Sequence, residues 1–226
     1  MTFSLLLRDP GTGEFGSAIA SSSPAVAARC VNLADGAGGA HSQNVTDPRL
    51  GVQLLDALRR GASADEALRG VVGSADAADL AYRQLLVLDG SGASAVHSGD
   101  HALGIFGATA RPNAVAGGNM LVSLEVLDAL VDTALTAEGG IEQRLIAALR
   151  AAVAAGGEAG PVHSAGIAVV GSAGWRVTDL RVDWAESEPI EELAALLDVW
   201  LPQRADYVGR GLHPAGAPSY GVPGDE

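Results

Sequence analysis

The stretch Thr2 to Ser21, TFSLLLRDPGTGEFGSAIAS, decides the fold class. Phe3, Leu5 and Leu7 alternate with Thr2 and Ser4, the two-residue period of a strand. Asp9-Pro10-Gly11-Thr12-Gly13 carries turn chemistry, and alternation resumes at Phe15 and Ile19 against Gly16, Ala18 and Ala20. The segment therefore predicts an antiparallel hairpin, Thr2 to Arg8 against Phe15 to Ser21, with one bulky and one small face.

Outward from the hairpin, helices and strands come in pairs. Gly36 to Asn44 (GAGGAHSQN) reads as another extended or looping segment, whose small residues predict close backbone approach. Asp47 as N-cap, Pro48 at the first helical position and the stripe Leu50, Leu54, Leu55 and Leu58 predict a helix that Gly61 ends. Ser63 to Glu66 fits a capping box opening a second helix. Arg83 to Asp89, Ala93 to Ser98 and Leu103 to Thr109 return to strand character. Gly117-Gly118-Asn119 reads as a turn before helices at Val122 to Leu135 and Ile141 to Ala155. Ser164 to Gly171 and Trp175 to Trp184 form a last strand pair, and Pro189 opens a helix that carries Ile190, Leu193, Leu196, Leu197, Val199 and Trp200. This order contradicts the strict alternation of a Rossmann fold or a TIM barrel and predicts an α+β protein, a four-layer αββα sandwich of two mainly antiparallel sheets flanked by helix pairs. One domain over 1–210 is expected, with a Gly- and Pro-rich irregular tail over 211–226.

Composition excludes several function classes. The chain has 226 residues, 48% of them hydrophobic, which is ample for a core. Its 14 basic residues are all arginine, against 27 acidic ones, and the net charge of −13 opposes phosphate backbones and anionic membranes. Neither nucleic acid nor membrane is expected as a partner. No apolar run reaches the ~20 residues of a bilayer span, the N-terminal run has no basic lead or cleavage signal, and a cytoplasmic protein is expected. The single cysteine, Cys30, excludes an internal disulfide and a thiolate metal cluster.

Several segments in order resemble the Ntn-hydrolase-like proteins of domain-of-unknown-function family 1028. They are Thr2-Phe3-Ser4 with Arg8-Asp9-Pro10, Gly16 to Ser21, Ser42-Gln43-Asn44, Thr46 to Gly51, Arg83-Gln84-Leu85 and Gly118-Asn119-Met120-Leu121. The resemblance covers about the first half of the chain, and it implies the αββα fold and an N-terminal nucleophile. Thr2 becomes that residue if Met1 is removed, and its own α-amine, with a reference pKa of ~7.7–8.0, supplies the base. Without lysine, support for Thr2 must come from arginine, polar side chains or backbone dipoles. Arg29 and Arg83 are the arginine candidates, although Arg83 also reads as an ion-pair partner of Asp79.

The remaining expected site residues are polar. Gly118 and Asn119, placed before a helix, would stabilise an oxyanion, although Asn119 equally reads as an N-cap. Ser21 and Ser22 at the end of the second strand, and His41, Gln43 and Asn44 after the glycine-rich approach, are expected to bind substrate. The family pattern often has a small residue at the position of His41. His97, Asp100 and His101 have a spacing that can hold a metal, but a surface loop explains them as well, and no metal or other cofactor is expected. His163, His213, Trp175, Trp184 and Trp200 read as structural. The expected function is hydrolysis of a small amide, ureido or peptide-like C–N bond by a homodimer or higher homo-oligomer. The alternatives are a non-catalytic ligand-binding or scaffold protein on the same fold, and a metal-assisted hydrolase using His97, Asp100 and His101.

Overall fold

In the computed structural model, which describes residues 1–222, the opening hairpin forms with the expected limits, β1 Thr2–Arg8 and β2 Phe15–Ser21. Asp9 accepts from the amides of Gly11 and Thr12 at 2.7 and 3.1 Å and so closes the turn. Each strand is buried on both faces. Phe3, Leu5 and Leu7 pack with Ala18 and Ala20 against helices, whereas Leu6, Phe15 and Ile19 pack against a second sheet. The small face of β2 admits helix α6 (Ile141–Ala154), because a Cβ on Gly16 would lie 2.8 Å from Leu145.

Two antiparallel sheets result. The first adds β7 Ile105–Arg111, β8 Ala114–Leu121, β9 Ser164–Val170 and β10 Arg176–Val182, in the order β10-β9-β2-β1-β8-β7. The second is β3 Val31–Ala34, β4 Gly38–Asn44, β5 Arg83–Asp89 and β6 Ser94–Ser98, in that order. Leu6, Ile19 and Val115 of one sheet meet Leu33, Leu86 and Leu88 of the other. Behind the second sheet lie α2 Pro48–Arg59 and α3 Ala64–Ser74, capped by Asp47 and by the Ser63–Glu66 capping box as expected. Behind the first lie α5 Glu125–Thr136, α6 and α7 Pro189–Leu212. The layers are helix, sheet, sheet and helix. Gly39 bears out the expected close approach: a Cβ there would stand 2.6 Å from Leu33 and 2.9 Å from Leu6.

The structure adds three short elements and corrects two expectations. Helix α1 Val26–Cys30, helix α4 Ala77–Leu80 and strand β3 are too short for their periodicity to show in the sequence. Gly117, Gly118 and Asn119 form no turn before a helix: they lie inside β8, which pairs with β1, and the helix starts only at Glu125. The two glycines mimic a breaker, but Gly117 is where Leu86 of the facing sheet closes in, 2.8 Å from a would-be Cβ. The last helix runs through Pro202 to Leu212, into the start of the expected irregular tail, and a short 3-10 turn follows within it at Pro214–Gly216. Of the expected tail, 223–226 lie outside the described residues. Trp200 packs and donates to Thr178, whereas Trp175 and Trp184 are 41% and 49% exposed. No helix among the described residues is long and apolar enough to cross a membrane.

Candidate functional site

At one end of the space between the sheets the side chains change from apolar to polar. Thr2 and Ser4 continue the Leu6 face of β1, Ser17 and Ser21 continue the Phe15 and Ile19 face of β2, and Thr2 pairs across the ladder with Asn119 of β8. His41 and Gln43 of β4 and Gln84 of β5 come from the facing sheet, with Gln43 and Gln84 in register. Ser4, Ser17, Ser21, His41, Gln43 and Gln84 are all fully buried. Burial at this depth requires partners, since an unpaired polar group costs about 1–3 kcal/mol.

The partners form one chain. Ser4 Oγ donates to Gln43 Oε1 at 2.6 Å, and Gln43 Nε2 donates to Gln84 Oε1 at 2.8 Å. Gln84 Oε1 also accepts from Asn119 Nδ2 at 3.3 Å, while Gln84 Nε2 faces Ser98 Oγ and the carbonyls of Gly107 and Gly118 at 3.1 to 3.2 Å. His41 lies between Ser4, 2.9 Å from Nδ1, and Ser17, 2.7 Å from Nε2. Burial, with the charge of Arg176 adding to it, pushes its pKa down to about 3, so the ring is neutral. Because the Ser4 proton is committed to Gln43, His41 Nδ1–H donates to Ser4 and Nε2 accepts from Ser17. Asn119 Oδ1 is buried and accepts nothing among the described residues.

Beside this network lies the chain start. Thr2 Oγ1 and Ser21 Oγ both donate to the carbonyl oxygen of Met1, and the two hydroxyl oxygens are 3.4 Å apart. Ser21 Oγ accepts from the Ser23 amide at 3.1 Å and lies 2.8 Å from Ser23 Oγ. Glu158, bridged to Leu121 at the end of β8, is 4% exposed, and neither carboxylate oxygen has a hydrogen-bond partner among the described residues. Burial raises its pKa to about 7, opposed by the positive chain terminus and the Ser22 backbone.

Thr2, Ser21, His41, Gln43, Gly118 and Asn119 of the sequence reading are thus gathered in one place. The others are not. Gly118 and Asn119 do not provide amides at a helix start: the Gly118 carbonyl and the Asn119 amide group are both engaged by Gln84. Arg29 is exposed and donates to the Pro24 carbonyl, away from Thr2. Arg83 donates to the Val45 carbonyl and forms no ion pair with Asp79 among the described residues. Asn44 ties loops together through Tyr82 O and Leu103 N. Ser22 contributes its backbone alone, towards Glu158. His97 bonds the Leu80 carbonyl, His101 meets the Tyr82 ring at a tilt of 59°, and among the described residues no three His, Cys, Asp or Glu side chains gather as metal ligands.

Comparison with known proteins now bears on this geometry. The model of a family of unknown function, DUF1028, matches residues 2–193. The chain belongs to that family. The crystal structure of protein SPO2555 from Silicibacter pomeroyi, described by the same family, is 31% identical, with a TM-score of 0.83 over 92% of this chain and 93% of that one. Anbu (ancestral beta-subunit) from Yersinia bercovieri, 12% identical with a TM-score of 0.38 over 88% of this chain and 97% of that one, is too dissimilar to carry an argument. Among proteins of curated function none matches. In this DUF1028 chain the sequence reading missed Ser4, Ser17, Gln84 and Glu158. Gln84 carried a usable signal, because it shares strand parity with Leu86 and Leu88 whereas Arg83 does not. Glu158 had none, lying in an irregular segment outside any periodic element.

Proposed function

We propose that the chain is a cytoplasmic amidohydrolase whose nucleophile is Thr2 Oγ1 once Met1 is removed. One observation carries the reading: the hydroxyls of Thr2 and Ser21 converge on the acyl oxygen next to Thr2, at the end of a central strand. Removal of Met1 leaves an α-amine on Thr2 and frees both hydroxyls. Thr2 Oγ1 then adds to a substrate carbonyl carbon as the amine takes its proton. The oxyanion occupies the place of the Met1 oxygen, where Ser21 Oγ, oriented by Ser23, donates to it. The amine returns the proton to the leaving nitrogen, and water releases the acyl group from the Thr2 ester.

Asn119 Oδ1, directly across from Thr2 and unpartnered, accepts an N–H of the freed amine and aims its lone pair at the hydroxyl. This arrangement needs no lysine. The substrate is a small amide or short peptide, and lone, buried Cys30 fits a reducing compartment. Edge strand β7, with Ile105 and the adjoining Leu124 about half exposed, supplies the surface for a homodimer.

The test is the intact mass of protein expressed from its native start codon. Loss of one methionine residue is expected, because threonine is small enough to permit initiator removal. A mass that retains Met1 leaves Thr2 without its base and overturns the reading.

A further inference from the structure

We infer that the site takes an aminoacyl group with a free α-ammonium, so that the substrates are aminoacyl amides or the first residue of short peptides. The inference rests on Thr2 being the nucleophile and adds its substrate class. Met1 is itself an aminoacyl group seated on Thr2. Its carbonyl oxygen is held by Thr2 Oγ1 and Ser21 Oγ. Its side chain lies over Gly160, where a Cβ would come within 2.9 Å of Met1 Cε and 3.4 Å of Sδ. Its ammonium is the one positive charge that acts on Glu158, a buried carboxylate otherwise approached by the Ser22 backbone alone.

An acyl group on Thr2 Oγ1 differs from one on Thr2 N only by the reach of a five-membered ring. An incoming aminoacyl group therefore meets the carbonyl, ammonium and side-chain positions that Met1 vacates. Glu158 also borders a cleft of about 520 Å³ between the end of α6 and the start of α7. Glu186, Glu188 and Glu191 line the same cleft against a single cation, Arg150, which is already paired with Glu191. A buried carboxylate without a counter-charge is costly, and a substrate ammonium supplies that charge. In the reaction Thr2 Oγ1 bonds the aminoacyl carbon, the C–N bond breaks, and the leaving amine takes the proton from Thr2 nitrogen. Water then cleaves the ester, giving the free amino acid and regenerating Thr2.

The test compares L-methionine p-nitroanilide with its N-acetyl counterpart on the processed full-length protein, read as p-nitroaniline release. The free amine is expected to be cleaved with a kcat/KM at least about 100-fold higher. Glu158→Gln is expected to cut that preference at least ~10-fold through KM, while a β-lactone still acylates Thr2 in the variant and so shows the fold and nucleophile intact. Equal or faster cleavage of the acetylated compound, or a preference untouched by Glu158→Gln, overturns the inference and leaves the nucleophile standing. Cleavage of neither compound with Thr2 still acylated does the same. Cleavage of neither and no acylation of Thr2 overturns both.

Discussion

Thr2→Ala is expected to lower amide hydrolysis by at least about 10³-fold, the scale on which loss of a nucleophile is felt. The assay is release of p-nitroaniline from free and N-acylated aminoacyl anilides. The variant should remain folded, because Thr2 contributes one hydroxyl at the end of β1 and its methyl group, while the core residues Phe3, Leu5 and Leu7 are untouched; a stability change of about 1 kcal/mol is expected. Thr2→Ser keeps the oxygen and should retain activity within about tenfold, its loss reflecting the freer rotamer of a side chain without β-branching. The pH dependence follows from the base. A protonated amine cannot accept the hydroxyl proton, so kcat/KM should fall as pH drops through the amine pKa, ~7.7–8.0 in reference compounds. Turnover by Thr2→Ala equal to wild type would remove Thr2 from the mechanism.

Gln84→Leu is expected to destabilise the fold by about 3 kcal/mol or more. Gln84 accepts from Gln43 and Asn119 and donates towards Ser98, Gly107 and Gly118, in a space where Gln43 is fully buried and Asn119 is 1% exposed. Leucine fills the volume but takes away the partner of the side-chain amide nitrogens of Gln43 and Asn119. The penalty of these orphaned groups exceeds what one extra apolar side chain returns. The check is a denaturant midpoint lowered with an unchanged m-value. A loss below about 1 kcal/mol would show that the network is solvated instead of dry.

Much of the scaffold was legible because its signals are local. The hairpin limits at Thr2, Arg8, Phe15 and Ser21 follow from alternation and a Pro-Gly turn, and α2 and α3 announce themselves through Asp47-Pro48 and the Ser63–Glu66 box. β8 was hidden because its glycines answer to the opposing sheet: Gly117 makes room for Leu86, a contact far away in sequence. The same cause misplaced part of the site. Asn119 was recognised, but as a helix-start residue, whereas its position beside Thr2 comes from strand pairing across most of the first half of the chain. Arg83 drew attention through its charge, yet the neighbouring, neutral Gln84 faces the network, because alternate strand residues point to opposite faces. Glu158 becomes visible only when its burial and missing partners are seen.

The measurement closest to the central claim is covalent trapping at the chain start. Native-start protein is treated with a β-lactone, whose strained acyl carbon esterifies an activated hydroxyl with no separate leaving group, and the adduct is located by peptide mass mapping. One adduct on Thr2 is expected, formed after loss of Met1, absent from Thr2→Ala and kept in Thr2→Ser. An unmodified Thr2, or an adduct that persists in Thr2→Ala at another residue, would contradict it.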